Sequence, residues 1–285
     1  MIHILLGVLY LVLAPVIGGL LDGVDRKLTA RMQRRIGPPI LQPFYDVAKL
    51  IKKQNIVTNR LQNPFIISHL VFAAFTGFLF FEGTDILLIV FVLTVSSIFL
   101  ILAAYSSNSP YSYLGAEREL LLTMAYEPMV LVALVGFFKV AHSFHFYSIV
   151  TSGKPMLLYL PGIFLGIFFI LGIKLRKSPF DISYSHHAHQ ELVKGITTDF
   201  TGKTLAMQEI AHWYETVYIL GFVYIFFSFT PVLGVVLTLF VYFLEVVIDN
   251  VTARLKWEVV LKSTWVVTFV FGFVNLIPFY IVTVR

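Results

Sequence analysis

Apolar residues run along this chain in blocks too long and too continuous for strands or for ordinary surface helices. Eight stretches approach the roughly 17 to 25 residues that a helix needs to cross a bilayer: 2–21, 65–81, 86–105, 119–138, 156–173, 205–230, 232–248 and 264–282. The fourth and sixth hold internal charges, but the apolar residues on either side are long enough to keep them in lipid. No alternating barrel pattern appears, and lipid demands that backbone polar groups be satisfied within each segment. The pattern predicts an all-α polytopic membrane protein, one integral domain over 1–285, with about eight transmembrane helices. Neither a basic region nor a small-residue cleavage site precedes the first apolar run, so it reads as a retained helix rather than a removed signal peptide.

Between the first two spans the periodicity changes. Leu41, Phe44, Val47, Ala48 and Ile51 recur at helical spacing, while Asp46, Lys49, Lys52 and Lys53 fall on the other side. This predicts an amphipathic helix over about 41–53, lying at the membrane surface within a first loop at 22–64. Two roles fit it. One is a cationic anchor on anionic lipid. The other takes in Arg26, Lys27, Arg31, Arg34 and Arg35 and the turn at Gly37, Pro38 and Pro39, which together would present guanidinium groups to an acidic protein or ligand.

The charges set an orientation. Of the 21 Lys and Arg, 18 lie in the loops after the first, third, fifth and seventh spans. The positive-inside rule therefore puts those loops in the cytoplasm of a cell-membrane protein and both termini outside. The loops at 22–64 and 174–204 are the longest, and a cytoplasmic partner is expected to dock there. With 58% hydrophobic and 13% charged residues, the composition excludes a soluble enzyme. The net charge of +5 is accounted for by the membrane asymmetry, so no nucleic-acid partner is expected. Absence of cysteine removes disulfides, thiolate zinc sites, Cys-ligated iron–sulfur clusters and c-type haem attachment. Electron transfer coupled to this chain is therefore expected on partner subunits, with no cofactor held here.

The acids inside the spans carry the most information. A charge at the bilayer centre costs about 2.5 to 3.5 kcal/mol on insertion scales, so each such residue is expected to face a bundle interior or a wet cavity. Glu127 sits mid-span before Pro128, whose ring kinks the helix. Glu209, His212 and Glu215 follow at intervals of three, spread over an arc of about 120 degrees that allows a shared polar seam. Glu245 and Asp249 are one turn apart near the end of the seventh span, and Glu117 and Glu119 flank Arg118. One reading pairs these acids with Lys139, Lys174, Arg118 or Arg254 as bundle ties. The other makes them a proton path, because desolvation disfavours the charged form and lets a buried carboxyl exchange its proton. A sodium site would use similar oxygens. His186, His187 and His189 lack a second ligand set at a defined spacing and read as a partner-contacting loop rather than a metal site. His3, His69, His142 and His145 have no constellation around them.

Three ordered motifs then resemble one family. Arg34-Arg35-Ile36-Gly37-Pro38 with Leu41-Gln42-Pro43 and Asp46-Val47-Ala48-Lys49-Leu50 is similar to the first cytoplasmic loop of the NADH dehydrogenase subunit 1 family of respiratory complex I. Ser106-Ser107-Asn108-Ser109, Gly115-Ala116-Glu117-Arg118 and Tyr126-Glu127 resemble its third loop and fourth helix. Ser178-Pro179-Phe180-Asp181, Glu191-Leu192-Val193, Gly195 and Thr201-Gly202 resemble its fifth loop. The resemblance implies a subunit that joins a peripheral redox arm to a membrane arm and begins a row of carboxylates leading toward antiporter-like subunits. It places Arg26, Arg31, Arg34, Arg35, Asp181, Glu191 and Asp199 at the junction with the redox arm. Glu119, Glu127, Glu209, His212, Glu215, Glu245 and Asp249 fall on the ion path.

Departures from the quinone-using members narrow the resemblance. Lys174 stands where those carry an acid, a longer Ser183–Gln190 stretch follows the Pro-Phe-Asp motif, and His212-Trp213-Tyr214-Glu215 differs. These features look like the homologous subunit of membrane-bound nickel–iron hydrogenases and related archaeal-type, ferredoxin-linked complexes. The implied partners are iron–sulfur and large hydrogenase-like subunits, antiporter-like and small membrane subunits, and the bilayer. The implied cofactors are iron–sulfur clusters and a nickel–iron centre, all on partners. A quinone-site or sulfur-reducing homologue remains the alternative, and an autonomous secondary transporter or a passive anchor belongs to a different class. The transporter reading expects paired inverted repeats, and no second copy is visible.

Overall fold

The computed structural model describes residues 2–56, 59–180 and 195–283. Twelve α-helices lie within them. The first half of the chain forms α1 (Ile2–Met32), α2 (Gln42–Lys52), α3 (Gln62–Glu82), α4 (Ile86–Tyr105), α5 (Pro110–Ala141) and α6 (Phe146–Thr151). The second half forms α7 (Met156–Tyr159), α8 (Pro161–Lys174), α9 (Gly202–Tyr224), α10 (Pro231–Val251), α11 (Trp257–Val267) and α12 (Val274–Thr283). A six-residue π segment at Thr268–Phe273 joins α11 to α12 into one long helical rod. Seven helical segments among the described residues are long and apolar enough to cross a membrane.

The remaining expected span, 156–173, is broken. Pro161 has no N–H to donate and pushes the preceding residue out of helical geometry, and Leu160 sits at φ −125°, ψ 49° between α7 and α8. The 14-residue α8 is about 21 Å long at 1.5 Å per residue, short of the roughly 30 Å hydrocarbon core. Elsewhere helices outrun their apolar windows. α1 continues eleven residues past Leu21, because Asp22 and Arg26 pair one turn apart at 3.0 Å and no proline intervenes. It ends where Arg34 takes a left-handed φ of 58° and the Arg35 N–H reaches the Ala30 carbonyl at 2.7 Å, a closure usually given to glycine. α5 starts at Pro110, nine residues before the apolar window, because proline suits the first helical turn.

Within lipid the hydrophobic effect does not separate the inside of a bundle from the outside, so close packing holds the helices together. Gly18 shows how close: a Cβ there would lie 2.6 Å from the Trp213 carbonyl oxygen, so α1 and α9 touch backbone to backbone. Tyr10 donates to the Tyr214 carbonyl at 2.8 Å and Tyr214 donates back to the Leu11 carbonyl at 2.7 Å, clamping the same pair. On the outside of α10, Val232, Val235, Val236 and Leu239 are exposed, as a lipid-facing surface requires.

The two ends of the bundle differ. At one end the starts of α4 and α8 meet the ends of α3, α5 and α9. Here Phe80, Ile86, Phe137, Ile163 and Phe226 are fully buried, with the Phe137 and Phe226 rings 5.1 Å apart. An isolated bridge between Asp85 and His145 ties its loops. At the other end the ends of α1, α8 and α10 meet the starts of α3, α5 and α9, and the charged residues gather. A second bridge, Phe180 with Leu255, ties that side, with the Leu255 N–H donating to the Pro179 carbonyl at 2.7 Å.

The helix α2 lies against this charged end. Pro43 and Val47 are its buried residues, and Phe44 and Leu50 pack with Val47, Trp213, Ala206 and Ile210. Leu41, Ala48 and Ile51, the rest of the apolar stripe read from the sequence, are exposed. Trp213 selects the stripe: its ring lies 5.2 Å from that of Phe44, and its position on α9 is invisible in the periodicity of α2.

Candidate functional site

The charged end opens into a cavity of about 670 Å³ between α1, α2, α9 and α10. Five acids line it, Asp22, Asp25, Asp46, Glu209 and Asp249, and six cations, Arg26, Arg35, Lys49, Lys53, Arg176 and Lys177. The near balance is built from explicit pairs. Arg26 bridges Asp22 on its own helix and Asp46 on α2, at 3.0 and 2.8 Å, so one guanidinium fixes α2 to α1. Lys177 is nearly buried and reaches Asp25 at 2.5 Å and Asp249 at 3.9 Å. The Ser178 N–H donates to the second Asp249 oxygen at 2.7 Å. Lys177 therefore holds the segment after α8 against the ends of α1 and α10.

Deeper in the bundle a second space of about 10 Å³, room for about one water, is lined by Ser97, Glu119, Tyr126, Lys174, Arg176 and Glu215. Glu119 on α5 and Glu215 on α9 are both buried. The Arg176 guanidinium meets Glu119 at 3.5 Å, and Lys174 lies 4.3 Å from the centroid of the Tyr126 ring, a cation–π contact. Two carboxylates and two cations share this void, so its formal charge cancels. Burying such groups is tolerable only because they are paired. Arg176 lines both spaces. It is the wall between the wide cavity and the buried acids, placed just past α8 at φ 57°.

The expected path residues thus fall into separate places. Glu209, His212 and Asp249 face the wide cavity, while Glu119 and Glu215 face the small void, so the seam expected on α9 is divided between the two. Glu245 is buried one turn before Asp249, against α8, where a Cβ on Gly172 would lie 3.1 Å from its Oε2. Glu127 lines neither space. It is half-buried two turns beyond Glu119 and accepts a hydrogen bond from the Thr94 hydroxyl at 2.8 Å. Glu119 pairs with Arg176 and Asp249 with Lys177, two cations outside the set of ties expected from sequence. A short linker after α8 folds these two residues back into the bundle, which linear spacing does not reveal.

Of the expected junction residues, Arg26 and Arg35 line the cavity, and Arg35 also donates to the Gln33 side chain. Arg31 and Arg34 are exposed at the end of α1. Asp199 is half-buried, and its carbonyl accepts from Gln62 Nε2 at 3.4 Å. Asp181, Glu191 and the histidines at 186, 187 and 189 lie outside the described residues. Among the described residues no group of three or more His, Asp or Glu is arranged to hold a metal. Sequence reasoning missed Asp22, Asp25, Arg176 and Lys177. The first two were legible as an acid at each of positions i and i+3 before Arg26, but a hydropathy window ending at Leu21 assigned them to a loop.

The family described as NADH dehydrogenase matches residues 4–280. This chain belongs to it. Within that family it is 30% identical over 217 residues to hydrogenase-4 component C of Escherichia coli (strain K12), covering 70% of this chain and 66% of that protein. It is 26% identical over 210 residues to the H subunit of NADH-quinone oxidoreductase from Carboxydothermus hydrogenoformans, covering 66% of this chain and 59% of that protein. The chain thus spans just under two thirds of these relatives. The fold is shared with a chain in the structure of the membrane-bound sulfane sulfur reductase, an archaeal respiratory membrane complex. There the TM-score is 0.78 at 24% identity, over 96% of this chain and all of the other.

Proposed function

We propose that this NADH dehydrogenase family member is the membrane subunit that couples a ferredoxin-oxidising peripheral redox module, of hydrogenase type, to movement of protons or sodium ions. The chain performs no redox chemistry itself in this reading. Iron–sulfur clusters and a nickel–iron centre belong to its partners, and antiporter-like and small membrane subunits continue the path. The loops of the charged end face the cytoplasm of the cell membrane, both termini lie outside, and Arg31, Arg34 and Arg35 meet the redox arm.

One observation carries the proposal: Arg176 borders both the wide charged cavity and the void that holds Glu119 and Glu215. A change of charge or occupancy in the cavity acts on a guanidinium that already holds a buried carboxylate, and at low dielectric that influence is strong. The 30% identity to a hydrogenase-4 component, against 26% to a component of a quinone oxidoreductase, favours the hydrogenase type.

The test is made in the purified native complex reconstituted in liposomes. Glu215→Gln and Glu127→Gln are expected to leave the dye-linked redox activity of the partner in place and to lower ion pumping. Unchanged pumping in both variants overturns the acid-path assignment. Nickel in the large partner subunit supports the hydrogenase type, and its absence shifts the assignment to a sulfur- or quinone-linked complex.

A further inference from the structure

Glu127 lines neither of the two spaces, and its neighbours on α4 and α5 face outward. Residues 124, 127 and 131 follow at steps of three and four and so share one face of α5; Met124, 61% exposed, and Leu131 lie on the bundle surface there. On α4 the steps from Phe91 to Thr94 and on to Ile98 do the same, with Phe91 and Ile98 exposed. The Thr94 hydroxyl joins the two rows through its 2.8 Å hydrogen bond to Glu127. Thr94 stands near the middle of α4 (Ile86–Tyr105), so the pair lies far from either end of that span.

The chemistry at this spot is one-sided. No cation among the described residues pairs with Glu127. The single Thr94 proton is contested by the Val90 carbonyl at 3.2 Å. One residue after Glu127, Pro128 lacks an N–H, so the Met124 carbonyl has no donor four residues on. Acceptors therefore outnumber donors on a surface where hydrocarbon supplies none. The outward residues of α10, Val232, Val235, Val236 and Leu239, show by contrast what a plain lipid-facing surface looks like. A carboxylate deep in a bilayer is costly, and hydrogen bonds across helix interfaces are how membrane bundles relieve that cost.

We propose that this face of α4 and α5 is the docking surface for a membrane-spanning helix of a second subunit, which brings a hydrogen-bond donor side chain to Glu127. The inference rests on the coupling function proposed above for the existence of further membrane subunits. It adds the face that one of them occupies and the chemistry it presents. The exposed rows through Phe91, Ile98, Met124 and Leu131 give the incoming helix an apolar surface to pack on. The surplus of acceptors between those rows selects a central residue that donates, because a second acceptor would leave every lone pair unmet.

The test uses the purified native complex with the photo-cross-linker p-benzoyl-phenylalanine replacing Met124, and the same probe at Val236 to report cross-links to lipid. Irradiation is expected to join position 124 to a membrane-spanning segment of another subunit, with a donor side chain within about one helical turn of the cross-linked residue when the product is read by mass spectrometry. A cross-link to lipid only, to a second copy of this chain, or to a segment without a donor overturns the inference. The second arm measures the dissociation constant of that subunit as the complex is diluted in detergent. Glu127→Leu leaves the incoming donor unpaired and is expected to raise the constant about tenfold. Glu127→Gln keeps an acceptor oxygen and is expected to change it less than about threefold. Equal retention in the Leu variant and the wild type overturns the proposed donor. Neither arm reads pumping, so the two proposals fail separately: wild-type pumping in Glu127→Gln and Glu215→Gln removes the coupling reading and leaves the docking surface, whereas a lipid-only cross-link removes the surface and leaves the coupling reading.

Discussion

The two ends of this bundle are built from the same helices and held by opposite means. At one end Phe80, Phe137 and Phe226 interlock with Ile86 and Ile163, and no charged residue described there is buried. At the other, Arg26, Lys177 and Arg176 tie four helices and the segment after α8 together through carboxylates at 2.5 to 3.9 Å. Packing of rings is rigid and indifferent to ions, whereas paired charges respond to each proton that enters or leaves. The difference teaches that stability and responsiveness are separated along the bundle axis: one end sets the frame against which the other end can change.

Truncations at the two ends test that separation. Phe226→Ala removes a fully buried ring at the aromatic end and is expected to cost about 3 to 5 kcal/mol. The loss would be read as a fall in melting temperature of the detergent-purified complex, with the ratio of ions to electrons unchanged in what remains folded. A changed ratio would abolish the separation. Lys177→Met keeps the aliphatic stem but removes the charge between Asp25 and Asp249. A cost of about 1.5 to 3 kcal/mol is expected, this time with a changed ratio of ions to electrons. Arg26→Ala, at the partly exposed mouth of the cavity, is expected to cost less than about 1 kcal/mol and to matter less still at high salt. A larger loss would mean that the tie from α2 to α1 is structural rather than peripheral.

Much of the architecture was legible because lipid leaves a simple record. Long apolar runs can only be helices there. The break at Pro161 and the start at Pro110 follow from what proline does to a backbone, but the apolar windows at 156–173 and 119–138 passed over both. The apolar stripe of α2 was legible, but its division was not: Phe44 and Val47 are held by Trp213 on another helix, while Leu41, Ala48 and Ile51 stay exposed. Nor was the pairing of the acids. Glu119 and Arg176 are 57 residues apart, and only the turn after α8 brings them together. His69 looked like an isolated polar residue in an apolar span, because its partner is the Ser96 carbonyl of a neighbouring helix.

By itself, then, the order of residues determined that the chain is helical and membrane-embedded, that its cations crowd the loops of one end, and that acids lie where acids are costly. Those properties come from local physics: the length of an apolar run, and the penalty for a charge in hydrocarbon. The tertiary structure decided which acid meets which cation, which of them share a cavity, and that Arg176 stands between the two spaces. Such relations depend on distance across helices, and electrostatic energy falls with distance in space rather than along the chain.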